Sequence, residues 1–236
     1  MNSLIYFNNC ASTQDELIDF LNQHYLSEDF LAVYTFNQTK GRGQYGNSWE
    51  NLPEKNLAYS FALKTKNINV SDTCFNFYTA ILVKDFIANL TKTEVKIKWP
   101  NDLILKNKKI CGMLFEKKGN YLVSGIGINI LQENFENLPK AGSILSQTNL
   151  KFDLKNFAES LYHYISEKLM PENIPENILE LYNQNLYKKN TISVFEKDKV
   201  RQNGIIQNAD NNGFLWIELE NDGLQKFFHK EIELLY

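Results

Sequence analysis

From Thr191 to the end of the chain, no segment carries a helical period. Runs of four to eight strand-forming residues alternate there with Asn203-Gly204, Asp210-Asn211-Asn212-Gly213 and Asn221-Asp222-Gly223, all strong turn formers. Before Thr191, helices and strands are mixed. Leu154, Phe157, Ala158, Leu161, Ile165 and Leu169 recur at helical spacing behind Asp153. Leu31–Phe36, Leu57–Leu63 and Tyr121–Ile130 are runs rich in strand formers. This change of pattern predicts an α+β fold. Residues 1–188 are expected to form a mixed or antiparallel sheet with helices on one side, and residues 189–236 a small β module. A module that short buries little surface by itself, so it is expected to pack on the larger part.

The remaining elements follow from local signals. Leu4–Phe7 reads as a strand. Ser12 opens a helix with Leu17, Phe20 and Leu21 on one face and Asp15 in a capping-box-like position. Ser71 caps a long buried helix that includes Phe75 to Leu90. Val95–Trp99 is a strand stopped by Pro100, which has no N–H for a ladder. Lys106-Asn107-Lys108-Lys109 turns a hairpin between Leu103–Leu105 and Ile110–Glu116, and Ile174–Tyr187 reads as a further helix.

Composition excludes several classes. Hydrophobic residues at 43% and charged residues at 22% exclude a disordered or collagen-like chain. No run approaches the roughly 20 apolar residues of a membrane span, and the first seven residues have no basic region of a signal peptide. A net charge of −3 argues against affinity built on neutralising nucleic-acid phosphates, so no DNA partner is expected. Cys10, Cys74 and Cys111 lie far apart without a CxxC, which gives neither a disulfide framework nor zinc spacing and points to a reducing cytoplasm.

Four segments carry candidate chemistry. Lys40 through Trp49 contains Gly41, Gly43 and Gly46 in a literal GxGxxG. A dinucleotide fingerprint must run into a helix, and here a strand follows. What remains is either a backbone able to approach an anion beside Arg42 or a glycine-rich surface loop. Lys98-Trp99-Pro100-Asn101-Asp102 presents a cation, an amide and a carboxylate around a turn. Asp102 there suits Mg²⁺, a nucleophile or a proton, although Pro-Asn-Asp is also plain turn chemistry. Lys109, across the hairpin, is placed to meet a carboxylate and a phosphate together, unless the hairpin lysines are only solvated. Gly125 and Gly127, in Gly-Ile-Gly-Ile-Asn, weaken a strand unless something approaches closely or the strand bulges. His24, His163 and His229 fall outside every segment and are read as solvated or structural.

In this order the segments resemble the biotin–protein ligases. That family's pattern runs S-T-N, Q-x-x-G-R-G-R-x-G-R-x-W, K-W-P-N-D, K-x-x-G-I-L-x-E and G-I-G-I-N. Here the matching residues are Ser12-Thr13-Gln14, Gln38 through Trp49, Lys98–Asp102, Lys109 through Glu116 and Gly125–Asn129. The resemblance implies a class II synthetase-like catalytic domain with an SH3-like C-terminal cap. It implies that biotin is joined through biotinyl-5′-AMP, with ATP and Mg²⁺, to a lysine of a carboxylase biotin-carrier domain. By the same resemblance Ser12, Thr13 and Gln38 hold the ureido ring. Gly41, Arg42 and Gly43 belong to a loop closing over the ligand, and Lys109 contacts the biotin carboxylate and the α-phosphate. Gly112 and Gly125 line the biotin slot. Gln44, Trp49, Asn101, Asp102 and Asn129 face ATP, with Asp102 near Mg²⁺ or the incoming lysine. Lys109, Arg42 and Asp102 are the expected catalytic residues.

Three positions depart from the pattern. Gln14 replaces Asn, and Gln44 and Asn47 stand where the family carries arginines. The family's N-terminal DNA-binding domain is not expected here, which implies a ligase without a repressor role. No membrane association is expected, and a homodimer is left open. Two other readings remain: a lipoate– or octanoate–protein ligase of the same fold, and a non-catalytic sensor of biotin or nucleotide.

Overall fold

The computed structural model describes residues 4–23, 30–136 and 138–236. In chain order the first elements are β1 (Leu4–Tyr6), α1 (Thr13–Gln23), β2 (Phe30–Thr35), β3 (Gly41–Arg42), β4 (Ser48–Trp49), β5 (Asn56–Lys64) and α2 (Asp72–Thr91). Next come β6 (Val95–Lys98), β7 (Asp102–Leu105), β8 (Lys108–Lys118), β9 (Tyr121–Asn129), α3 (Ile144–Thr148), α4 (Leu154–Lys168) and α5 (Ile178–Gln184). The chain ends in β10 (Ile192–Lys197), β11 (Val200–Ala209), β12 (Leu215–Leu219), β13 (Gly223–Phe227) and β14 (Glu233–Leu235).

Seven strands form one sheet in the order β1-β2-β5-β9-β8-β7-β6. β1 and β2 are parallel and every other pair is antiparallel, so the sheet is mixed. Every residue of β5 is buried, because the strand is central and covered on both faces. On one face Leu57, Tyr59, Phe61 and Leu63 pack into the main core with α2, α4 and α5. On the other, Leu17 of α1 packs with Leu31, Val33, Ala62 and Val123. The sequence suggested helices on one side only, and α1 on the second face corrects that expectation. Strand alternation buries both Val33 and Tyr34, and α1 covers the second face.

Local signals explain most ends. The Ser71 hydroxyl accepts from the Cys74 N–H at 3.1 Å, and the Asp153 carboxylate accepts from the Asn156 N–H at 2.8 Å. Ser12 Oγ accepts from the Asp15 N–H at 3.4 Å, but the Asp15 carboxylate reaches Arg42 instead of closing a capping box. The helix expected over Ile174–Tyr187 is shorter. Asn185 and Tyr187 leave it to bond both backbone groups of Ile97 on β6, at 2.9 and 2.8 Å. α3 was not foreseen, although Ser143 and Ser146 make its capping box.

β10 to β14 form a five-stranded antiparallel sheet in the order β13-β12-β11-β10-β14. It docks on the larger part, as expected. Phe195, Ile206, Leu215 and Ile217 share one buried cluster with Ile97, Trp99 and Tyr187. Asn183 of α5 bonds both backbone groups of Ala209, at 3.0 and 2.6 Å. The Trp99 indole N–H donates to the Gly213 carbonyl at 3.2 Å. Among the described residues, no helix is long and apolar enough to cross a membrane.

Phe77 of α2 stacks on Tyr182 of α5 at 3.8 Å between centroids, and the Tyr182 hydroxyl donates to the Pro100 carbonyl at 2.7 Å. This pair ties the helical layer to the turn that presents Asn101 and Asp102. Phe77→Ala is expected to lower unfolding free energy by about 3–5 kcal/mol in urea, with little change in denaturant slope.

Candidate active site

Register builds the site floor. Ala58, Gly127, Gly112, Asp102 and Lys98 are successive cross-strand partners on β5, β9, β8, β7 and β6. The next row on the same face runs Val33, Ser60, Gly125 and Leu114. The two glycines of β9 therefore lie side by side on a bare strip of sheet. A Cβ on Gly127 would run into the Trp49 indole, and one on Gly125 into the Gln14 carboxamide. Close approach is thus why glycine stands at both positions.

One end of the strip is polar and neutral. Thr13 Oγ1 and Ser60 Oγ share a hydrogen bond of 2.8 Å, and Gln38 Oε1 accepts from the Thr13 N–H at 2.9 Å. Ser12, Thr13 and Gln14 are all buried at the start of α1. The other end is charged, with Lys109 Nζ 2.8 Å from Asp102 Oδ1. Strict alternation would turn Lys109 and Gly112 to opposite faces. A bulge intervenes, because Leu103 pairs with Cys111 but Ile104 pairs with Lys109, and it swings Lys109 onto the face of Asp102. Asn101 is buried, and its amide donates to the Met113 carbonyl, which pins the turn to β8.

The glycine-rich segment roofs the strip. β3 and β4 pair Gly41 with Trp49 and Arg42 with Ser48, around a turn at Gln44–Gly46. Trp49 lies 5.7 Å from Lys109 Nζ, and its own buried indole N–H has no partner among the described residues. Arg42 pairs with Asp15 at 2.5 Å and reaches Glu116 at 3.4 Å, while the Gln14 amide donates to Glu116 at 2.8 Å. The space left open beneath is about 120 Å³, under the roughly 300 Å³ of small ligand sites.

Twelve of the residues expected from sequence line this cavity: Ser12, Thr13, Gln38, Arg42, Gly43, Gln44, Trp49, Asn101, Asp102, Lys109, Gly112 and Gly125. Two do not. Gly41 is paired with Trp49 within the roof, where a Cβ would strike the Trp49 carbonyl, and the Asn129 amide donates to the Gly142 carbonyl at 3.0 Å. Four positions were missed, among them Ser60 on β5, which carries no motif and shares the Thr13 hydrogen bond. Gln14 and Glu116 were visible in the motifs but given no task. His229 comes from the C-terminal module, carries no motif, and lines the cavity. His24 lies outside the described residues.

Burial, then the nearby Lys98 cation, holds His229 below the ordinary imidazole range, so it is neutral at pH 7. Burial also lowers Lys98, opposed by the charge of Asp102. The Cys111 thiol, directly beneath, is pushed up by burial and then by Asp102, and is inert. All three cysteines are free. Among the described residues no cluster of three or more His, Cys, Asp and Glu exists to cage a metal. Among the described residues, Asp102 is the one carboxylate lining this cavity. A single carboxylate completed by substrate phosphates fits Mg²⁺.

Residues 6–132 match the biotin/lipoate A/B protein ligase family, and the chain belongs to that family. It is 25% identical over 146 residues to a biotin–[acetyl-CoA-carboxylase] ligase of Mycobacterium tuberculosis, covering 60% of this chain and 55% of that protein. It is 23% identical over 255 residues to the bifunctional ligase/repressor BirA of Bacillus subtilis, covering 98% of this chain and 74% of that protein. The fold resembles that of the Aquifex aeolicus biotin protein ligase in complex with biotin and ATP, with TM-score 0.79, 24% identity, and 100% and 99% of the two chains covered.

Gly127→Ala is expected to push the indole off the strip and shift tryptophan emission to the red at unchanged far-ultraviolet dichroism. An unshifted emission would place Trp49 elsewhere.

Proposed function

We propose that this chain joins biotin to a lysine of a biotin-carrier domain, using ATP and passing through biotinyl-5′-AMP. One observation carries the reading. A strip of bare backbone at Gly125 and Gly127 runs from the neutral Thr13–Ser60–Gln38 cluster to the Lys109–Asp102 pair. A flat apolar ligand with a polar head ring and a distal carboxylate suits that sequence of surfaces.

In the first step a carboxylate oxygen of biotin attacks the α-phosphorus of ATP, the α–β anhydride bond breaks, and pyrophosphate leaves. In the second an acceptor amine attacks the acyl carbon, the acyl–phosphate bond breaks, and AMP leaves as an amide forms. No covalent enzyme intermediate is needed, so the work is orientation and charge stabilisation. Ser12, Thr13 and Gln38 fix the ureido head, and Gly112 and Gly125 bound the slot. Lys109 sets a cation between the biotin carboxylate and the α-phosphate. Arg42 and the backbone of Gly41 and Gly43 close the roof and exclude water from the anhydride. Gln44, Trp49 and Asn101 face the nucleotide, and Asn129 supports that wall from behind. Asp102 takes the incoming amine or Mg²⁺, which when bound neutralises charge on the leaving pyrophosphate.

The division at 188/189, with an SH3-like β10–β14 module, completes the reading. His229 brings that module to the cavity rim, and a reducing cytoplasm suits the buried free thiols. A lipoate– or octanoate–protein ligase is the second reading, since the family includes both acyl classes.

Biotin-dependent pyrophosphate release from ATP and Mg²⁺, repeated with lipoate and then with a carrier domain, tests it. Release with biotin and a labelled carrier lysine are expected. Release only with lipoate moves the chain to the sister activity, and biotin binding without release makes it a sensor. Lys109→Ala is expected to lower kcat/KM about 10²–10³-fold with the fold intact, because its side chain is 34% exposed.

A further inference from the structure

Glu116 is the last residue of the β8 motif on the site face, in register with Val123. One oxygen, Oε2, accepts from two donors that belong to different layers: the Gln14 amide at 2.8 Å and Arg42 at 3.4 Å. Gln14 is 4% exposed and its Oε1 lies directly over Gly125. Its carbonyl is thereby aimed at the slot floor while its amide is held by the carboxylate. Arg42 belongs to the roof and is held a second time by Asp15 on α1.

Resting on the reading above, we propose that Glu116 is a positioning residue that sets the Gln14 carbonyl in the ligand slot and latches the glycine-rich roof closed through Arg42. The charge balance favours this role. Two carboxylates face one guanidinium, so the roof is drawn to the sheet without any phosphate present. That matters in a cavity whose lining at Gln44 and Asn47 is uncharged. Arg42 and Asp15 are 41% and 49% exposed, so each ion pair is weak. A weak latch keeps the roof in place and still releases it for exchange of substrate.

The test is Glu116→Gln, which preserves shape and an acceptor for Gln14 but removes the charge facing Arg42. In the ligand-free protein, backbone amides of residues 41–49 are expected to exchange hydrogen several-fold faster. Calorimetry is expected to show biotin affinity falling about threefold. Pyrophosphate release at saturating biotin is expected to stay within about twofold of wild type, a KM-against-kcat split that a purely structural role would not produce. Asp15→Asn, an exposed site outside the slot, is expected to speed the same exchange and decides the matter if Glu116→Gln does not fold. Unchanged exchange at 41–49, or a fall in kcat with biotin affinity intact, overturns the proposal. Faster exchange together with a wild-type protein that releases no pyrophosphate leaves the latch standing and removes the ligase reading instead.

Discussion

The pairing of β9 between β5 and β8 is the constraint on which the rest of the site depends. A strand has a side-chain period of two, so a slip of one residue would turn Gly125 and Gly127 into the core and push Ile126 and Ile128 onto the site face. The register is fixed by that penalty. Ile126 and Ile128 are buried among the α2 side of the core, and their alternation leaves the glycines on the opposite face. The same register carries Gly112 and Asp102 into line with Gly127. The site is thus the solvent-side image of the core, and core packing is what aims it.

The charged end shows how a local irregularity completes what regular pairing cannot. Lys109 is an odd number of residues from Gly112, and a regular ladder would bury its cation against α2 at a desolvation cost of several kcal/mol. The bulge at Ile110 avoids that cost. Ile110 is fully buried, and Lys109 emerges beside Asp102. The segment before α3 supports the bulge, since the Lys109 backbone bonds Lys140 and Gly142 at 2.8 and 2.9 Å.

Much of this was legible in the sequence because the signals were local. Caps at Ser71 and Asp153, the turn at Pro100 and the strand glycines each act within a few residues. The α+β class and the late β module follow from periodicity alone. What escaped was set by distant partners. The position of α1 on the second face depends on β2 being buried on both sides. The shortened α5 depends on Ile97 capturing Asn185 and Tyr187. The Lys109 orientation depends on a bulge with no residue signature. His229 reaches the cavity only because the C-terminal sheet docks through Trp99, Asn183 and Ala209. The motif places Asn129 at the nucleotide, and its amide ties β9 to the Gly142 carbonyl.

The polar contacts around the slot differ in strength in a way that suits its two tasks. The Thr13–Ser60 contact and the Asn101–Met113 contact are buried. Breaking either leaves an unpaired polar group, at roughly 1–3 kcal/mol. They hold the floor rigid. The roof is held by exposed ion pairs worth less than about 1 kcal/mol each, and by an indole whose N–H lacks a partner among the described residues. Apolar contact with the glycine strip keeps that indole in place, and a ligand ring offering an acceptor would exchange one flat surface for another while gaining the missing hydrogen bond. A rigid floor below a loosely held roof lets the same site admit a substrate and then shield a water-sensitive anhydride.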